Sequence, residues 1–141
     1  MTNKILLIDD DIDELYIFKE ALQEINAVSQ CFYAENVGDG LKMLKDFIPD
    51  FIFIDINMPG INGLEGIRLI SEMTIDSKVP LFAYSTAVND ELNLQAIAMG
   101  ALASVKKPES ISHLAHILHS IIKKDGPQNA AINTGSQHYI N

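Results

Sequence analysis

Residues that can do acid–base or metal chemistry stand where four apolar stretches of the sequence end. Asp9 and Asp10 follow the first stretch, and Asp55 ends a run of four β-favouring apolar residues. Ser85 closes a later stretch and Lys107 follows the last one. If these stretches are parallel strands, their carboxyl ends lie at one edge of a sheet, where open α/β sheets place their ligand sites. The pattern therefore predicts that these side chains converge.

Three carboxylates in one crevice repel each other, so a proton or a cation must balance their charge. Oxygen ligands without a neighbouring His or Cys are typical of Mg²⁺, which uses few protein ligands and keeps several waters. A metal beside Asp55, with the Lys107 ammonium and the Ser85 hydroxyl opposite, meets the needs of phosphoryl transfer. In that reaction Asp55 is the nucleophile, and the metal and Lys107 neutralise the phosphoryl oxygens.

Each of these residues also has an ordinary explanation when it is taken alone. A single Asp after a strand is more often a turn or cap residue, and Lys107 before Pro108 is a common solvated strand end. Turn chemistry does not account well for four such strand ends together. Three histidines, His113, His116 and His119, lie on one predicted helix, where steps of three residues turn about 300° each. They diverge around the helix, which favours a solvated face over a metal cluster.

The remaining sequence predicts the elements that carry these residues. Predicted strands cover residues 5–8, 30–34, 51–55, 80–85 and 103–106. Predicted helices cover residues 12–25, 37–47, 63–73, 90–99 and 110–123, with Asp90 as the N-cap of the fourth and Gly100 after its end. Five strands alternating with five helices predict an α/β fold, a parallel sheet covered by helices on both faces.

Composition limits the classes of function. A length of 141 residues suits one domain, and the formal net charge of −9 argues against direct nucleic-acid binding. No apolar run approaches the roughly 20 residues that span a bilayer, and the first residues lack a signal-peptide pattern. Cys31 is the only cysteine, which we expect to be a small buried residue in a reducing, cytoplasmic environment. Residues 1–124 are predicted to form the domain, and the polar segment 125–141 is predicted to be disordered.

Several motifs resemble the response-regulator receiver domain of two-component signalling, over approximately residues 4–124. The motifs are Leu6-Leu7-Ile8-Asp9-Asp10, Asp55-Ile56-Asn57-Met58-Pro59-Gly60 with Gly63 behind it, Tyr84-Ser85-Thr86-Ala87, and Gly100-Ala101 leading to Lys107-Pro108. The resemblance implies a flavodoxin-like (βα)5 three-layer sandwich whose five-stranded sheet has the order 2-1-3-4-5.

The resemblance also implies roles for the acidic residues. Asp10 and Asp55 would supply carboxylate ligands to Mg²⁺, Asn57 its backbone carbonyl, and Asp9 would act through coordinated water. Asp55 would accept a phosphoryl group from a phosphohistidine on a sensor histidine kinase or a histidine phosphotransfer protein.

Two further residues have implied roles at the phosphoryl group. Lys107 would pair with its oxygens, and Ser85, rather than Thr86, would move to bond it and report its presence. One position departs from the family's pattern, because Ser104 stands where many receivers have a Tyr or Phe that turns inward. We expect the output surface to remain the fourth helix, fifth strand and fifth helix, with a different switch.

The sequence thus predicts a stand-alone response regulator that signals through a protein partner or a phosphorelay, without membrane association. It would catalyse only its own phosphorylation and dephosphorylation. One alternative is a receiver-like interaction module that works without phosphorylation. Another is a phosphohydrolase with an aspartyl-phosphate intermediate, but such enzymes typically carry a second Asp where this chain has Asn57.

Overall fold

Strands and helices alternate along the whole domain in the computed structural model, which describes residues 2–58, 62–123 and 139–141. The strands are β1 (Asn3–Ile8), β2 (Ser29–Ala34), β3 (Phe51–Asp55), β4 (Leu81–Ser85) and β5 (Ala103–Lys106). The helices are α1 (Ile12–Glu24), α2 (Val37–Leu44), α3 (Gly63–Thr74), α4 (Asp90–Met99) and α5 (Ile111–Lys123). None of these described helices is long and apolar enough to cross a bilayer.

All neighbouring strands pair in parallel, in the order β2-β1-β3-β4-β5. The predicted α/β class and the flavodoxin-like strand order are therefore confirmed. In this register Asp55 lies opposite Tyr84, and Ser85 lies opposite Lys106. The ends of β3, β4 and β5 consequently lie side by side.

Successive residues of each central strand pack into two different apolar layers, because side chains alternate across a sheet. Ile5 and Leu7 of β1 belong to a cluster completed by α1 and α5, whereas Leu6 and Ile8 belong to one completed by α2, α3 and α4. Phe18 of α1 contacts two aromatic rings of the sheet edge-on. Both faces of the sheet are thus covered, which explains why these strands read as continuous apolar runs.

Short polar side chains cap the N-termini of the helices. Asp11, Asn36, Asn62 and Asn89 each accept a hydrogen bond from a backbone amide in the first turn of α1, α2, α3 and α4. The Ser110 hydroxyl accepts from the His113 amide at the start of α5. The prediction of Asp90 as the N-cap of α4 was wrong by one residue. Asn89 has the extended backbone that a cap needs, and Asp90 is already helical.

Two glycines are required by close contacts. A Cβ atom at Gly63 would lie 2.1 Å from the Ile56 carbonyl oxygen, so only glycine lets α3 start against the segment that follows β3. Gly100 ends α4 with φ of 121°, a conformation that favours glycine, and a Cβ there would meet the Ser71 side chain of α3.

The prediction of disorder for residues 125–141 falls largely outside the described residues, which resume at Tyr139. The last three residues are described, and Ile140 forms a parallel bridge with Val105 of β5. Residues 124–138 stay without a structural description. The three histidines of α5 are exposed, as predicted for a solvated helix face.

Candidate functional site

The ends of β1 and β3 bring together the three predicted acidic residues. One carboxylate oxygen from each of Asp9, Asp10 and Asp55 lies within 4.8 Å of the other two. Asp9 is fully buried, Asp55 is 5% exposed and Asp10 is exposed to solvent. The group is therefore open to solvent on the Asp10 side and closed on the side of the sheet.

Lys107 reaches this group from the end of β5. Its Nζ lies 3.0 Å from Asp9 Oδ2 and 3.5 Å from Asp55 Oδ2. The Lys107 amide donates a 2.7 Å hydrogen bond to the Ser85 carbonyl, so the backbone that carries the ammonium is fixed to β4. The predicted convergence of the β1, β3 and β5 ends is present in the structure.

The two buried carboxylates are held by two separate turns of the same type. The Asp11 amide donates to Asp9 Oδ1, and the Asn57 amide donates to Asp55 Oδ1, each at 2.9 Å. Each bond joins an aspartate to the amide two residues later, the usual geometry by which Asp shapes a turn after a strand. In both residues the other oxygen, Oδ2, faces Lys107.

Ser85 is fully buried, whereas Thr86 is exposed. The Ser85 hydroxyl oxygen accepts hydrogen bonds from Asn57 Nδ2 at 2.9 Å and from the Ala87 amide at 3.3 Å. The side chain of Asn57 thus joins β3 to β4 beside Asp55. Sequence analysis assigned only a backbone role to Asn57 and missed this contact.

Two further members of the site were not predicted. Glu14 of α1 lies 3.9 Å from Lys107 Nζ, and the Tyr84 ring lies under the same ammonium, 5.2 Å from ring centroid to Nζ. The Tyr84 hydroxyl also interacts with the Glu14 carboxylate, and this interaction acts to lower the pKa of Glu14. Glu14 could have been found from its place in the first turn of α1, which begins directly after the acidic segment that follows β1.

Burial and charge shift the titration of the site. Burial raises the pKa of Asp9 from 3.8 to about 6, and the Asp11 amide and the Lys107 ammonium offset part of that effect. Burial also raises the pKa of Glu14. It acts to lower the pKa of Lys107, but the charges of Asp9, Asp55 and Glu14 outweigh it, so that pKa is raised. Three carboxylates around one ammonium, with Asp10 beside two of them, leave an excess of negative charge that suits a cation.

The Ser104 side chain lies on the α4 side of the sheet, and the Tyr84 ring lies on the opposite side. It is fully buried, and its amide donates a 2.9 Å hydrogen bond to Oδ1 of the fully buried Asn93 of α4. The Ser104 hydroxyl has no hydrogen-bond partner among the described residues. Tyr84 packs in the opposite layer, against α1 and α5. It therefore does not fill the space that an aromatic residue at position 104 would occupy.

Comparison with known proteins gives a consistent result. The family model for the response regulator receiver domain matches residues 5–119. PilH of Pseudomonas aeruginosa is 27% identical over 119 residues, which are 84% of this chain and 97% of PilH. A protein-glutamate methylesterase/protein-glutamine glutaminase of Clostridium acetobutylicum is 26% identical over 121 residues, 86% of this chain but 35% of that protein. The chain thus spans nearly all of PilH and about a third of the methylesterase.

Solved structures agree on the fold. The chemotaxis response regulator CheY4 of Vibrio cholerae superposes with a TM-score of 0.73 at 23% identity, covering 84% of this chain and 98% of CheY4. A two-component response regulator from Clostridium difficile gives a TM-score of 0.72 at 23% identity, covering 86% and 97% of the two chains.

Proposed function

Because this chain belongs to the response-regulator receiver family, we propose that it carries a phosphoryl group on Asp55 and signals through it. The observation that carries the proposal is the joint approach of Lys107 Nζ to Asp9 and Asp55 beside the three-carboxylate group. A strand-end turn residue has no need of an ammonium from a strand two positions away in the sheet.

The residues present fit a hard divalent cation. Asp9, Asp10 and Asp55 offer carboxylate oxygens within 4.8 Å of one another, and one of the three is open to solvent. In the proposal Asp10 and Asp55 hold Mg²⁺ directly, Asn57 contributes its backbone carbonyl and Asp9 acts through water. Bound Mg²⁺ supplies charge neutralisation of the phosphoryl oxygens in the transition state.

The chain's own residues account for the transfer. A carboxylate oxygen of Asp55 attacks phosphorus, the bond from phosphorus to the donor histidine nitrogen breaks, and that nitrogen keeps the electron pair. The Asn57 amide orients the carboxylate through its bond to Oδ1. The Lys107 ammonium, held at 3.5 Å from Oδ2, stabilises the added negative charge.

The donor in this proposal is a phosphohistidine on a sensor histidine kinase or a histidine phosphotransfer protein. Two exposed apolar side chains on α1, Ile12 (43% exposed) and Tyr16 (56% exposed), lie one helical turn apart and begin next to the acidic segment. They offer a donor protein an apolar contact beside Asp10. Hydrolysis of the aspartyl phosphate resets the site, and no external substrate is turned over.

The signal begins at Ser85 in this proposal. Its hydroxyl moves to donate a hydrogen bond to a phosphoryl oxygen on Asp55, and this movement disturbs the bond from Asn57 Nδ2 that joins the ends of β3 and β4. The output then reaches a protein partner through α4, β5 and α5. Position 104, where many receivers have a turning aromatic ring, carries the small, fully buried side chain of Ser104.

The test is Mg²⁺-dependent labelling by acetyl phosphate or a phosphohistidine donor, read by intact-protein mass under mild acid conditions. Asp55→Asn is expected to abolish the added mass. The matched control is Asp76→Asn, which is expected to keep full labelling. Asp76 is exposed and lies between the end of α3 and the start of β4, away from the acidic group. Labelling of Asp55→Asn at the wild-type level refutes the assignment. Failure of the native chain to bind Mg²⁺ or beryllofluoride favours an interaction module that works without phosphorylation.

A further inference from the structure

The outer edge of β5 is paired with one residue from a distant part of the chain. The Ile140 amide donates to the Ser104 carbonyl, and the Lys106 amide donates to the Ile140 carbonyl, both at 2.8 Å. The two bonds lie on either side of Val105, which is the pattern of a parallel ladder. A carbonyl and an amide that an edge strand would leave unpaired are thus satisfied.

Side-chain packing supports this pairing independently. Ile140 is partly buried and packs against the apolar cluster formed by β5, α1 and α5. Tyr139 is also partly buried, whereas Asn141 is exposed. The contact therefore combines backbone bonds to the strand edge with one apolar side chain seated in the layer below it.

We propose that the outer edge of β5 is a docking site for a short extended segment, and that residues Tyr139–Asn141 occupy it within the same chain. The segment runs parallel to β5, so the route from β5 through α5 to Ile140 is that of a β-α-β connection. The sequence separation from Lys123 to Tyr139 allows an extended path of about 50 Å, longer than the roughly 20 Å of α5 that must be retraced. Pairing within one chain is therefore sterically available.

The chemistry of the site defines what can bind there. A ligand needs a free backbone amide and carbonyl on one residue, and an apolar side chain on that residue directed into the α1–α5 layer. An extended peptide meets these requirements by strand addition. Because the segment is tethered, it has a high effective concentration at the edge and competes with any peptide in solution.

Two neighbouring amides, the last one of β5 and the one that follows it, provide a sharp test of the pairing. The Lys106 amide points outward to Ile140, whereas the Lys107 amide points inward to Ser85 at 2.7 Å. Amide hydrogen exchange is measured by NMR on the full chain and on a chain that stops after residue 138. We expect exchange at Lys106 to accelerate at least tenfold in the shorter chain. Exchange at Lys107, and at Ile52 in the fully buried central strand β3, is expected to stay unchanged. No change at Lys106, or an equal acceleration at all three, overturns the proposal.

A peptide of residues 136–141 then tests the docking site itself. We expect saturable binding to the chain that stops after residue 138, and at least tenfold weaker binding to the full chain. In the peptide, Ile140→Pro removes the donor to Ser104 and abolishes binding, whereas Ile140→Val keeps it. Equal binding to both chains overturns the proposal.

The oligomeric state distinguishes a segment that pairs with β5 of its own chain from one that pairs with β5 of a second copy. Concentration-dependent association of the shorter chain, with a monomeric full chain, supports an edge that the segment covers in its own chain. Dimers of the full chain that disappear on truncation show exchange of the segment between copies, and overturn pairing within one chain. None of these measurements depends on phosphorylation of Asp55, so they succeed or fail separately from the proposed function.

Discussion

The side-chain amide of Asn57 donates a 2.9 Å hydrogen bond to the hydroxyl of Ser85, and this bond joins the ends of β3 and β4 next to Asp55. The same residue uses its backbone amide to hold Asp55 Oδ1. Asn57 therefore links the predicted phosphoacceptor to the predicted reporter hydroxyl through two different groups. A displacement of either Asp55 or Ser85 therefore alters a hydrogen bond of Asn57.

A double-mutant cycle measures that link. Asn57→Ala and Ser85→Ala each remove one partner of a part-buried hydrogen bond, so we expect a coupling energy of about 0.5–1.5 kcal/mol from urea unfolding. Asn57→Ala paired with Thr86→Ala is the control, because Thr86 is exposed. A coupling energy near zero for Asn57 and Ser85 contradicts the contact.

The stability of the metal-free protein is expected to depend on pH through Asp9. Its pKa is raised to about 6 in the fold from an ordinary value of 3.8, so the folded state binds more protons between these pH values. Stability contributed by Asp9 is therefore complete below about pH 4 and is lost as pH rises through about 6, by roughly 1–3 kcal/mol.

The measurement is urea unfolding in EDTA from pH 4 to 7, with Asp9→Asn as the comparison. The difference between the two pH profiles isolates Asp9 from Glu14, whose pKa is also raised. Profiles that run parallel across this range contradict a raised pKa for Asp9.

Mg²⁺ is expected to stabilise the folded chain at neutral pH. A ligand that binds only the folded state stabilises it by mass action, about 2.7 kcal/mol at a hundredfold excess over Kd. Asp10→Asn removes the most accessible carboxylate of the group and is expected to reduce the Mg²⁺-dependent rise in Tm by half or more. Asp76→Asn again serves as the control, and an equal loss in both variants would point to general charge effects.

The buried contact behind β5 predicts opposite outcomes for its two members. Asn93→Ala leaves the buried Ser104 amide without its acceptor and is expected to cost about 1–3 kcal/mol. Ser104→Ala removes a hydroxyl that has no partner among the described residues, so it is expected to be neutral or slightly stabilising. Chemical denaturation of both variants checks this, and a large loss for Ser104→Ala contradicts it.

The site residues at strand ends could be predicted because a parallel sheet decides where they lie. Asp9, Asp55 and Lys107 each follow a recognisable apolar strand, and the sheet places their backbones at one edge regardless of side-chain detail. The approach of Lys107 to Asp9 then follows from proximity and charge. These inferences needed only the alternation of apolar strands with amphipathic helices and the parallel direction of the strands.

Other features depend on packing that no local pattern reveals. The bond from Asn57 to Ser85 requires a particular side-chain conformation, and the place of Tyr84 under Lys107 depends on which face of β4 is buried against α1. Asn89 and Asp90 are both good capping residues, and the backbone decides between them. Ile140 pairs with β5 as a single residue, too short for an alternating pattern to indicate a strand.

The turn at Asp55 has a consequence for ion selectivity. Because the Asn57 amide holds Oδ1 of Asp55, this carboxylate has one oxygen that no amide holds, Oδ2, and not a free chelating pair. Large ions such as Ca²⁺ gain much of their coordination from bidentate carboxylates, whereas Mg²⁺ takes single oxygens in an octahedron completed by water. We therefore expect discrimination against Ca²⁺ to originate in one backbone amide, that of Asn57, and to survive changes elsewhere in the acidic group.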